Sequence, residues 1–411
     1  MAPGRMRVNG LHPSCIVGVM TLGSASSPQL LRRMNSEAVL RFALGADEFT
    51  AAEAMGATGL TRSTVLAVCD DLVEGGWLVE VADSRAAGLT VKGRPARRYR
   101  LREDAGLVAA IDAGEHRITA AVADLRGRIL AQRGRAADPV GPVRRGGAAA
   151  ALSEAAEAAG RAVSDVLLAV VGVPAPVDAD GRSPVGARGY WADMNPGFDD
   201  LLPGGVVVVD NDANLAALAE HVLGGASLAN VVTVLSGERL GAGVIVDGRL
   251  LRGARGGVGE MRFLSVVEGA GTADGLAALA RDWARDAVAS GATTVLGAGA
   301  SAQDVFTAAA DGDAVAAGIV ARLGERVARF AAVLESILDV ERVVIAGAIA
   351  GVVEPVLAHA RTVLETEFQP PTPEVVASSL GGEVVVLGGV QAALARIREQ
   401  PLAFTPRADL A

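Results

Sequence analysis

Two stretches of the chain share one pattern of strands and turns. The first, LVAAIDAGEHRITAAVADLRGRIL, covers residues 107–130, and the second, VVTVLSGERLGAGVIVDGRLLRG, covers residues 231–253. Each reads as a buried strand, a glycine-containing turn, a second strand, a further turn and a third strand. An internal duplication of this kind predicts two related lobes that close on a cleft. The turns would face this cleft, where backbone N–H groups can bind phosphate.

The length and composition of the chain suit a cytoplasmic α/β protein of two or three folding units. Of its 411 residues, 51% are hydrophobic, 21% are charged and only 3% are aromatic, which argues against a base-stacking surface for single-stranded nucleic acid. The two cysteines, Cys15 and Cys69, are too few for a disulfide framework or a Cys-rich zinc site. Residues 1–26 are predicted to be a disordered leader, and no apolar run approaches a membrane span. We therefore expect a cytoplasmic protein without a membrane partner.

The amino-terminal quarter of the chain is basic, whereas the remainder is acidic. Residues 1–102 contain thirteen Arg and Lys against nine Asp and Glu, a net charge of +4. Because the whole chain has a net charge of −9, the remainder carries −13. This asymmetry is typical of a nucleic-acid-binding module attached to an acidic body.

Residues 27–102 are predicted to form a winged helix-turn-helix that binds DNA. After a first helix in SPQLLRRMNSEAVLRFAL, Thr50 and Glu53 form the capping box of a second helix, which ends at Gly59. A third helix follows, and in a helix-turn-helix the first turn of this helix enters the major groove. The residues of this helix expected to contact DNA are Thr61, Arg62, Ser63, Thr64 and Ala67. The alternative is an ordinary helical hairpin with a solvated polar end.

The basic stretch RAAGLTVKGRPARRYRLR, residues 85–102, predicts a wing behind the third helix. After Arg85 it contains six Arg or Lys and no acidic residue. An extended arginine can enter a narrow minor groove, and its neighbours can pair with phosphates. The wing residues expected to contact DNA are Lys92, Arg94, Pro95, Arg97 and Arg98. The predicted partner is a double-stranded operator, bound by a homodimer or homotetramer at a pseudo-palindromic site.

The stretch VVVVDNDANLAALAEH, residues 206–221, predicts a short buried strand followed by a helix. Asp210, Asn211 and Asp212 stand at the carboxyl end of the strand, where open α/β folds bind ligands. Helix capping is the alternative role for the two carboxylates, and we expect Asp210 to serve only as a cap.

Several further motifs extend over roughly three hundred residues: Asp112-Ala113-Gly114, Gly172-Val173-Pro174, Asn211-Asp212-Ala213-Asn214, Gly241-Ala242-Gly243, Gly257-Val258-Gly259-Glu260, VVIAGAIAG and PPTPEVVASSLGGEVVVLGGV. In their order and spacing they resemble the ROK family of repressors, open reading frames and sugar kinases. The resemblance covers about residues 27–404. It implies a two-lobed, actin-like ATPase fold over residues 103–411, with lobe 1 at about 103–222 plus the carboxyl-terminal helix and lobe 2 at about 223–392.

The resemblance also implies roles for individual residues. In the kinase members the Asp of the Asn-Asp pair is the general base, which makes Asp212 the catalytic residue if this chain is a kinase that uses ATP and Mg²⁺. The residues that correspond to sugar or effector contacts are Asn195, Asn211, Asp212, Glu260 and Arg262. Those that correspond to the phosphate-binding turns are Asp112, Gly114, Gly237, Gly241, Gly243 and Gly347.

Departures from the family pattern favour a regulator over an enzyme. The first phosphate turn has His116, directly after Glu115, where the family has a threonine. The second reads Gly237-Glu238-Arg239 in place of Gly-Thr-Gly. Carboxylates that point into such turns repel a polyanion. Phe263 replaces the histidine that binds zinc in many members, and the expected cysteines are absent, so that no metal and no cofactor are predicted. We expect a sugar or sugar-phosphate sensor with a degenerate kinase site. The alternatives are an active sugar kinase and a scaffold without operator or effector.

Overall fold

The computed structural model describes residues 27–81, 97–138, 141–184, 189–225 and 228–406. These residues contain a three-stranded sheet near the amino terminus and two five-stranded sheets in the body. Within the described residues, no helix combines the length and the apolar character needed to cross a membrane.

Three helices and three short strands form the amino-terminal part. They are α1 (Pro28–Ala43), β1 (Phe49–Thr50), α2 (Ala51–Thr58), α3 (Arg62–Glu74), β2 (Leu78–Val81) and β3 (Arg98–Leu101). The Thr50 side chain accepts a hydrogen bond from the Glu53 N–H and Glu53 bonds back, so that the predicted capping box is present. Gly59 ends α2 in the left-handed region, with φ of 71°, and Thr61 caps α3. Each helix therefore begins and ends where its local sequence predicts.

The antiparallel sheet packs beneath these helices. Strand β3 lies between β1 and β2, with Leu101 opposite Leu78 and Tyr99 opposite Phe49. Tyr99 is fully buried, and its ring centroid lies 5.8 Å from that of Phe49. The residues between β2 and β3, which include the predicted DNA contacts Lys92, Arg94 and Pro95, lie outside the described residues.

The first five-stranded sheet has the order β6-β5-β4-β7-β8. Its strands are β4 (Leu107–Ala113), β5 (Arg117–Ala123), β6 (Ile129–Ala136), β7 (Val166–Val173) and β8 (Val206–Asn211), and the helices that accompany it are α4 (Gly141–Ala158), α5 (Tyr190–Met194), α6 (Asp212–Leu223) and α11 (Val384–Glu399). The prediction of a buried strand at residues 206–209 is wrong, because β8 is the edge strand and Val206 is 44% exposed.

The second five-stranded sheet repeats the first, with the order β11-β10-β9-β12-β13. It contains β9 (Val231–Ser236), β10 (Leu240–Val246), β11 (Arg249–Leu251), β12 (Arg342–Ala346) and β13 (Glu374–Ala377), with α7 (Leu276–Ala289), α8 (Ala302–Ala310), α9 (Ala314–Leu338) and α10 (Glu354–Glu367) around it. In both sheets the first three strands are antiparallel and the last two are parallel to the first. The duplication read from the sequence is therefore present in the topology.

One hydrophobic core continues from the amino-terminal helices into the first lobe. Buried Leu40 of α1 and Tyr99 of β3 belong to the same cluster as Leu125 and Ile397. A polar contact reinforces this junction, since Arg126 Nη2 donates a hydrogen bond of 2.6 Å to the backbone carbonyl of Ala46. The amino-terminal part thus packs directly against the lobe that contains α11.

Candidate functional site

A cavity of about 520 Å³ lies between the two five-stranded sheets and takes residues from both lobes. Most residues that the sequence predicts for the sugar and phosphate sites line it: Asp112, Gly114, Asn211, Asp212, Gly237, Gly241, Glu260, Arg262 and Gly347. A volume of this size fits a monosaccharide or a somewhat larger ligand.

The junction between β8 and α6 positions Asp212 at the cavity. Asn211 is the helix cap: its Oδ1 accepts a hydrogen bond of 3.1 Å from the Asn214 N–H. The expectation that Asp210 is a cap is wrong. The Asp210 carboxylate is buried and accepts a hydrogen bond of 2.6 Å from Arg252 Nη1, so that it forms an ion pair with the residue after β11 in the other lobe. Asp212 begins the helix, lines the cavity and accepts a hydrogen bond of 2.8 Å at its Oδ1 from the Ala213 N–H.

Three carboxyl groups that line the cavity bind their protons more tightly than in water. Burial raises the pKa of Asp112 to about 7, although the nearby Arg144 opposes the shift. Burial, with added repulsion from Asp112 and Glu260, raises the pKa of Asp212 well above its ordinary value. Burial also raises the pKa of Glu260, against the attraction of Arg262. A raised pKa makes a carboxylate a stronger base once it is ionised, and pKa shifts of this kind cluster at functional sites.

The first phosphate turn is supported from behind by a buried arginine. Arg144 of α4 is fully buried, and its Nη2 donates hydrogen bonds to the backbone carbonyls of Ala113 and Gly114. At the front of the turn, Glu115 accepts a hydrogen bond of 3.0 Å from the Tyr190 hydroxyl. The Glu115 side chain is therefore bonded to α5 and still lines the cavity.

The second phosphate turn carries a carboxylate that is already paired. Glu238 accepts hydrogen bonds of 2.8 Å at both carboxylate oxygens from Arg281 Nη2 of α7. His116, from the opposite lobe, approaches within 3.8 Å of the same carboxylate. Arg239 lies over the Tyr190 ring, with its Cζ 4.8 Å from the centroid. Side chains from both lobes thus meet across the cleft at this turn.

At the end of the cleft predicted to bind a sugar, Arg262 lies against two aromatic rings. Arg262 Cζ lies 5.6 Å from the Trp191 centroid and 4.6 Å from that of Phe263. The zinc site of the family does not fit this chain, because Phe263 has no donor atom and its ring is 65% exposed. Among the described residues, no three His, Cys, Asp or Glu side chains come together in a way that would hold a metal ion.

Two residues predicted for the site have other environments. Asn195 does not line the cavity and donates hydrogen bonds of 3.0 Å to the Gly181 carbonyl and to the Ser183 hydroxyl. Gly243 packs against α6, where an added Cβ would lie 2.2 Å from the Ala213 carbonyl oxygen. Gly243 is therefore needed for close packing of β10 on α6 and contributes no surface to the cavity.

Tyr190 and Trp191 line the cavity, yet our sequence reasoning did not select them. The signal that was available is the adjacent pair itself, because only 3% of the chain is aromatic. Both rings contact arginines of the other lobe, which makes α5 one wall of the ligand space.

The amino-terminal part offers a second candidate surface on α3. Arg62, Ser63 and Ala67 are exposed, and the Thr61 hydroxyl lies 2.9 Å from that of Thr64 and bonds to its N–H. Among the described residues Arg62 forms no ion pair. The first turn of α3 is therefore open to an external partner.

Two arginines that were predicted to contact DNA are engaged within the chain. Arg97 lies 2.6 Å from a Glu80 oxygen and 2.7 Å from an Asp70 oxygen. Arg98 pairs with Glu48 at 3.2 Å. These exposed pairs are weak and can exchange for phosphate contacts, but in the free protein both cations are neutralised.

Two sheets of the same topology that enclose one ligand-sized cavity define a two-lobed protein of the actin-like ATPase class. The sequence model of the ROK family matches residues 108–396, more than half of the chain, and the chain belongs to the ROK family. The prediction of an α/β protein with an actin-like ROK body is confirmed, and the amino-terminal winged helix-turn-helix stays a prediction.

The relatives of this chain include a regulator, an enzyme and a repressor. A solved structure, described as a ROK family transcriptional regulator and homologue of the E. coli MLC protein, has a TM-score of 0.68 and 19% identity and is similar over 90% of this chain and 97% of its own. The bifunctional enzyme NanE/NanK of Brucella melitensis is 30% identical over 210 residues, 48% of this chain and 39% of the enzyme. The xylose repressor of Bacillus subtilis is 23% identical over 257 residues, 57% of this chain and 61% of the repressor. The chain thus spans less than two thirds of either curated relative.

Proposed function

We propose that this protein is a transcriptional regulator that binds operator DNA through its amino-terminal helices, while its body binds a sugar or sugar phosphate and no longer transfers phosphate. The observation that carries the proposal is the exposed first turn of α3, with Arg62 unpaired among the described residues, in front of a ROK body. Regulation of transcription requires both parts, whereas a sugar kinase requires only the second.

In the proposed complex, α3 enters the major groove with its amino-terminal end. Arg62 would hydrogen-bond a guanine edge or a phosphate, and the Ser63 hydroxyl would reach the same groove. The predicted wing contacts Lys92 and Arg94 would bind the adjacent minor groove and backbone. A symmetric dimer would present two such helices about 34 Å apart, which matches successive turns of a pseudo-palindromic site. Such a protein acts in the cytoplasm.

Loss of phosphoryl transfer is supported by the side chains at the phosphate turns. Glu115 and Glu238 line the cavity beside Gly114 and Gly237, where their charge opposes a nucleotide triphosphate. No zinc is part of the proposal.

DNA binding is tested by gel retardation of fragments from the region upstream of the protein's own gene. We expect retardation at low salt, and we expect Arg62→Ala to weaken it by roughly tenfold and to lower the slope of log K against log salt by about 1 if Arg62 contacts phosphate. Arg249→Ala is the matched control, since Arg249 is an exposed arginine on β11 in the other lobe. Equal retardation by both variants would argue against α3 as the DNA-binding helix.

An ATP-dependent sugar kinase is the second candidate function. It is favoured by the retention of Asp212 in the same cavity as Gly237 and Gly347. The test is a coupled assay of ADP release with hexoses and amino sugars. We expect the wild-type protein to release no more ADP in the presence of sugar than Asp212→Asn does. Sugar-dependent ADP release that Asp212→Asn abolishes would establish the kinase and contradict the proposed loss of catalysis.

A further inference from the structure

We infer that the cleft binds a sugar that carries an acid group, and that Arg239 and Arg262 bind the acid while the carboxyl and amide groups behind them bind hydroxyls. This inference rests on the proposed sensing function and specifies its ligand class. Neither arginine belongs to the family pattern, in which small residues occupy the corresponding positions of the two motifs.

The two arginines are held in place without being neutralised. Arg239 lies over Tyr190 and Arg262 over Trp191, so that both guanidinium groups lie against the same short helix, α5. A guanidinium that stacks through its face keeps its N–H donors at the edge, where they can bind a carboxylate or phosphate in a fork. Within the described part of the chain, neither arginine forms an ion pair with a carboxylate.

The ionised carboxylates nearby already have partners. Glu238 is bonded at both oxygens to Arg281, Glu115 accepts the Tyr190 hydroxyl, and Glu383 accepts a hydrogen bond of 3.1 Å from Gln132 Nε2. Of these three partners only Arg281 is a cation, and it pairs with Glu238 rather than leaving that carboxylate to Arg239 or Arg262.

Three carboxyl groups that are shielded from water line the same cavity. The pKa values of Asp112, Asp212 and Glu260 are all raised by burial. Glu260 is the carboxyl that both arginines attract. A protonated or partly protonated carboxyl is a good hydrogen-bond donor and acceptor for sugar hydroxyls. Arg239 and Arg262 both line the cavity, so an acid group on the ligand could form ion pairs with both guanidinium groups.

The cavity has room for such a ligand. A volume of about 520 Å³ holds a hexose with one additional acid group. Asn211, Asp212 and Glu260 line the cavity with Arg262, so that hydroxyl-binding groups and the cation face one space. A carboxylate, as in a sugar acid, and a phosphate ester present the same oxygen chemistry to the arginines, and the experiment separates these two sources.

The test is isothermal titration calorimetry of the full chain with matched sets of sugars. Glucose, galactose and mannose are each compared with their uronate and their 6-phosphate at low salt. In the set whose hydroxyls fit, we expect the acid member to bind at least about tenfold more tightly than the neutral sugar. Preference for the uronate or for the 6-phosphate identifies the source of the acid. Equal affinity within every set, or no binding by any member, would overturn the inference.

Variants assign the preference to the two arginines. Arg262→Gln and Arg239→Gln should each reduce the affinity for the acid member by about tenfold or more and leave the neutral sugar within about twofold. Arg249→Gln, an exposed arginine outside the cavity, should change neither. Equal weakening of acid and neutral sugar by Arg262→Gln would contradict the assignment. Retardation of DNA without ligand is measured separately, so that failure here is distinguishable from failure of the regulator proposal.

Discussion

Arg41 Nε donates a hydrogen bond of 2.9 Å to the backbone carbonyl of Arg398, and its Nη2 donates one of 3.2 Å to that of Glu399. These carbonyls belong to the last turn of α11, where helix carbonyls lack intrahelical partners and carry partial negative charge. The other end of α11 reaches the cavity, which Val385 and Val386 line. One helix of 16 residues therefore connects the ligand space to α1.

We predict that Arg41→Met weakens this connection. The substitution keeps most of the aliphatic chain and removes the donors, so the stability loss should be small, about 0.5–1.5 kcal/mol, because Arg41 is exposed. Hydrogen exchange measured by mass spectrometry should become faster in α1 and in the last turn of α11. Arg32→Met is the control, since Arg32 is an exposed arginine on the same helix and, among the described residues, forms no hydrogen bond or ion pair with the body. Unchanged hydrogen exchange in both segments would show that the Arg41 contact does not couple α1 to α11.

Close packing of α11 on α6 gives a second prediction, on Gly388. An added Cβ there would lie 1.8 Å from the carbonyl oxygen of Leu215, so Gly388→Ala must separate the two helices. We expect a loss of at least about 2 kcal/mol in the free energy of unfolding, measured in urea. Gly318→Ala is the matched control in an exposed part of α9, where a Cβ meets nothing within 4 Å. It should stabilise the protein by about 0.5–1 kcal/mol, and a destabilisation equal to that of Gly388→Ala would contradict the packing explanation.

Features encoded within a few residues were predictable from the sequence. The capping box of Thr50 and Glu53 and the glycine that ends α2 depend only on neighbours along the chain, and the structure contains both. The duplicated strand pattern likewise reflects local alternation of apolar residues and turns, and both sheets follow it. The order of the motifs was also sufficient to predict that Asp112, Asp212 and Glu260 lie in one cavity.

Contacts between distant segments were not predictable from local pattern. Asp210 pairs with Arg252 and Glu238 with Arg281, each across more than forty residues. Local sequence determines which residues can cap a helix but not which cation a fold brings to a carboxylate. For this reason the sequence predicted a helix cap at Asp210, and it did not predict the pairing of Glu238 with Arg281. Tyr190 was not predicted as a site residue because its position in the cavity depends on contact with Arg239 from the other lobe.

A buried arginine of α9 supports the loop at residues 272–274, in the region where the family pattern has cysteines. Arg326 of α9 is 3% exposed, and its Nη2 donates to the carbonyls of Thr272 and Asp274. Burial lowers its pKa to about 10. We predict that Arg326→Met lowers the free energy of unfolding by about 1–3 kcal/mol, because the two carbonyls lose their donor. Arg285→Met, in an exposed pair with Asp282, should cost less than about 0.5 kcal/mol.

The same loop should be insensitive to chelators. We expect EDTA to leave the melting temperature of the wild-type protein unchanged in differential scanning calorimetry, since stabilisation by a metal would be lost when the metal is removed. A fall in melting temperature that added zinc restores would show that the loop holds a metal after all.

The raised pKa of Asp112 sets the sign of a pH effect on stability. Its value is about 7 in the folded protein against an ordinary 3.8, so between these values the folded state binds more protons than the unfolded chain. The free energy of unfolding should therefore fall as pH rises from about 4 to 7 and then level off, by at most about 1.4 kcal/mol per pH unit for one group. Asp212, Glu220 and Glu260 shift in the same direction and add to the slope.

Urea denaturation of wild type and Asp112→Asn at pH 5 and pH 8 measures the contribution of Asp112. The variant cannot ionise at this position, so its stability should fall less between the two pH values than that of the wild type. Asp304→Asn is the control, because hydrogen bonds from Ser301 lower the pKa of Asp304 and its effect falls at more acidic pH. A wild-type stability that rises from pH 5 to pH 8, with Asp112→Asn parallel to it, would show that Asp112 ionises normally and is not desolvated in the cleft.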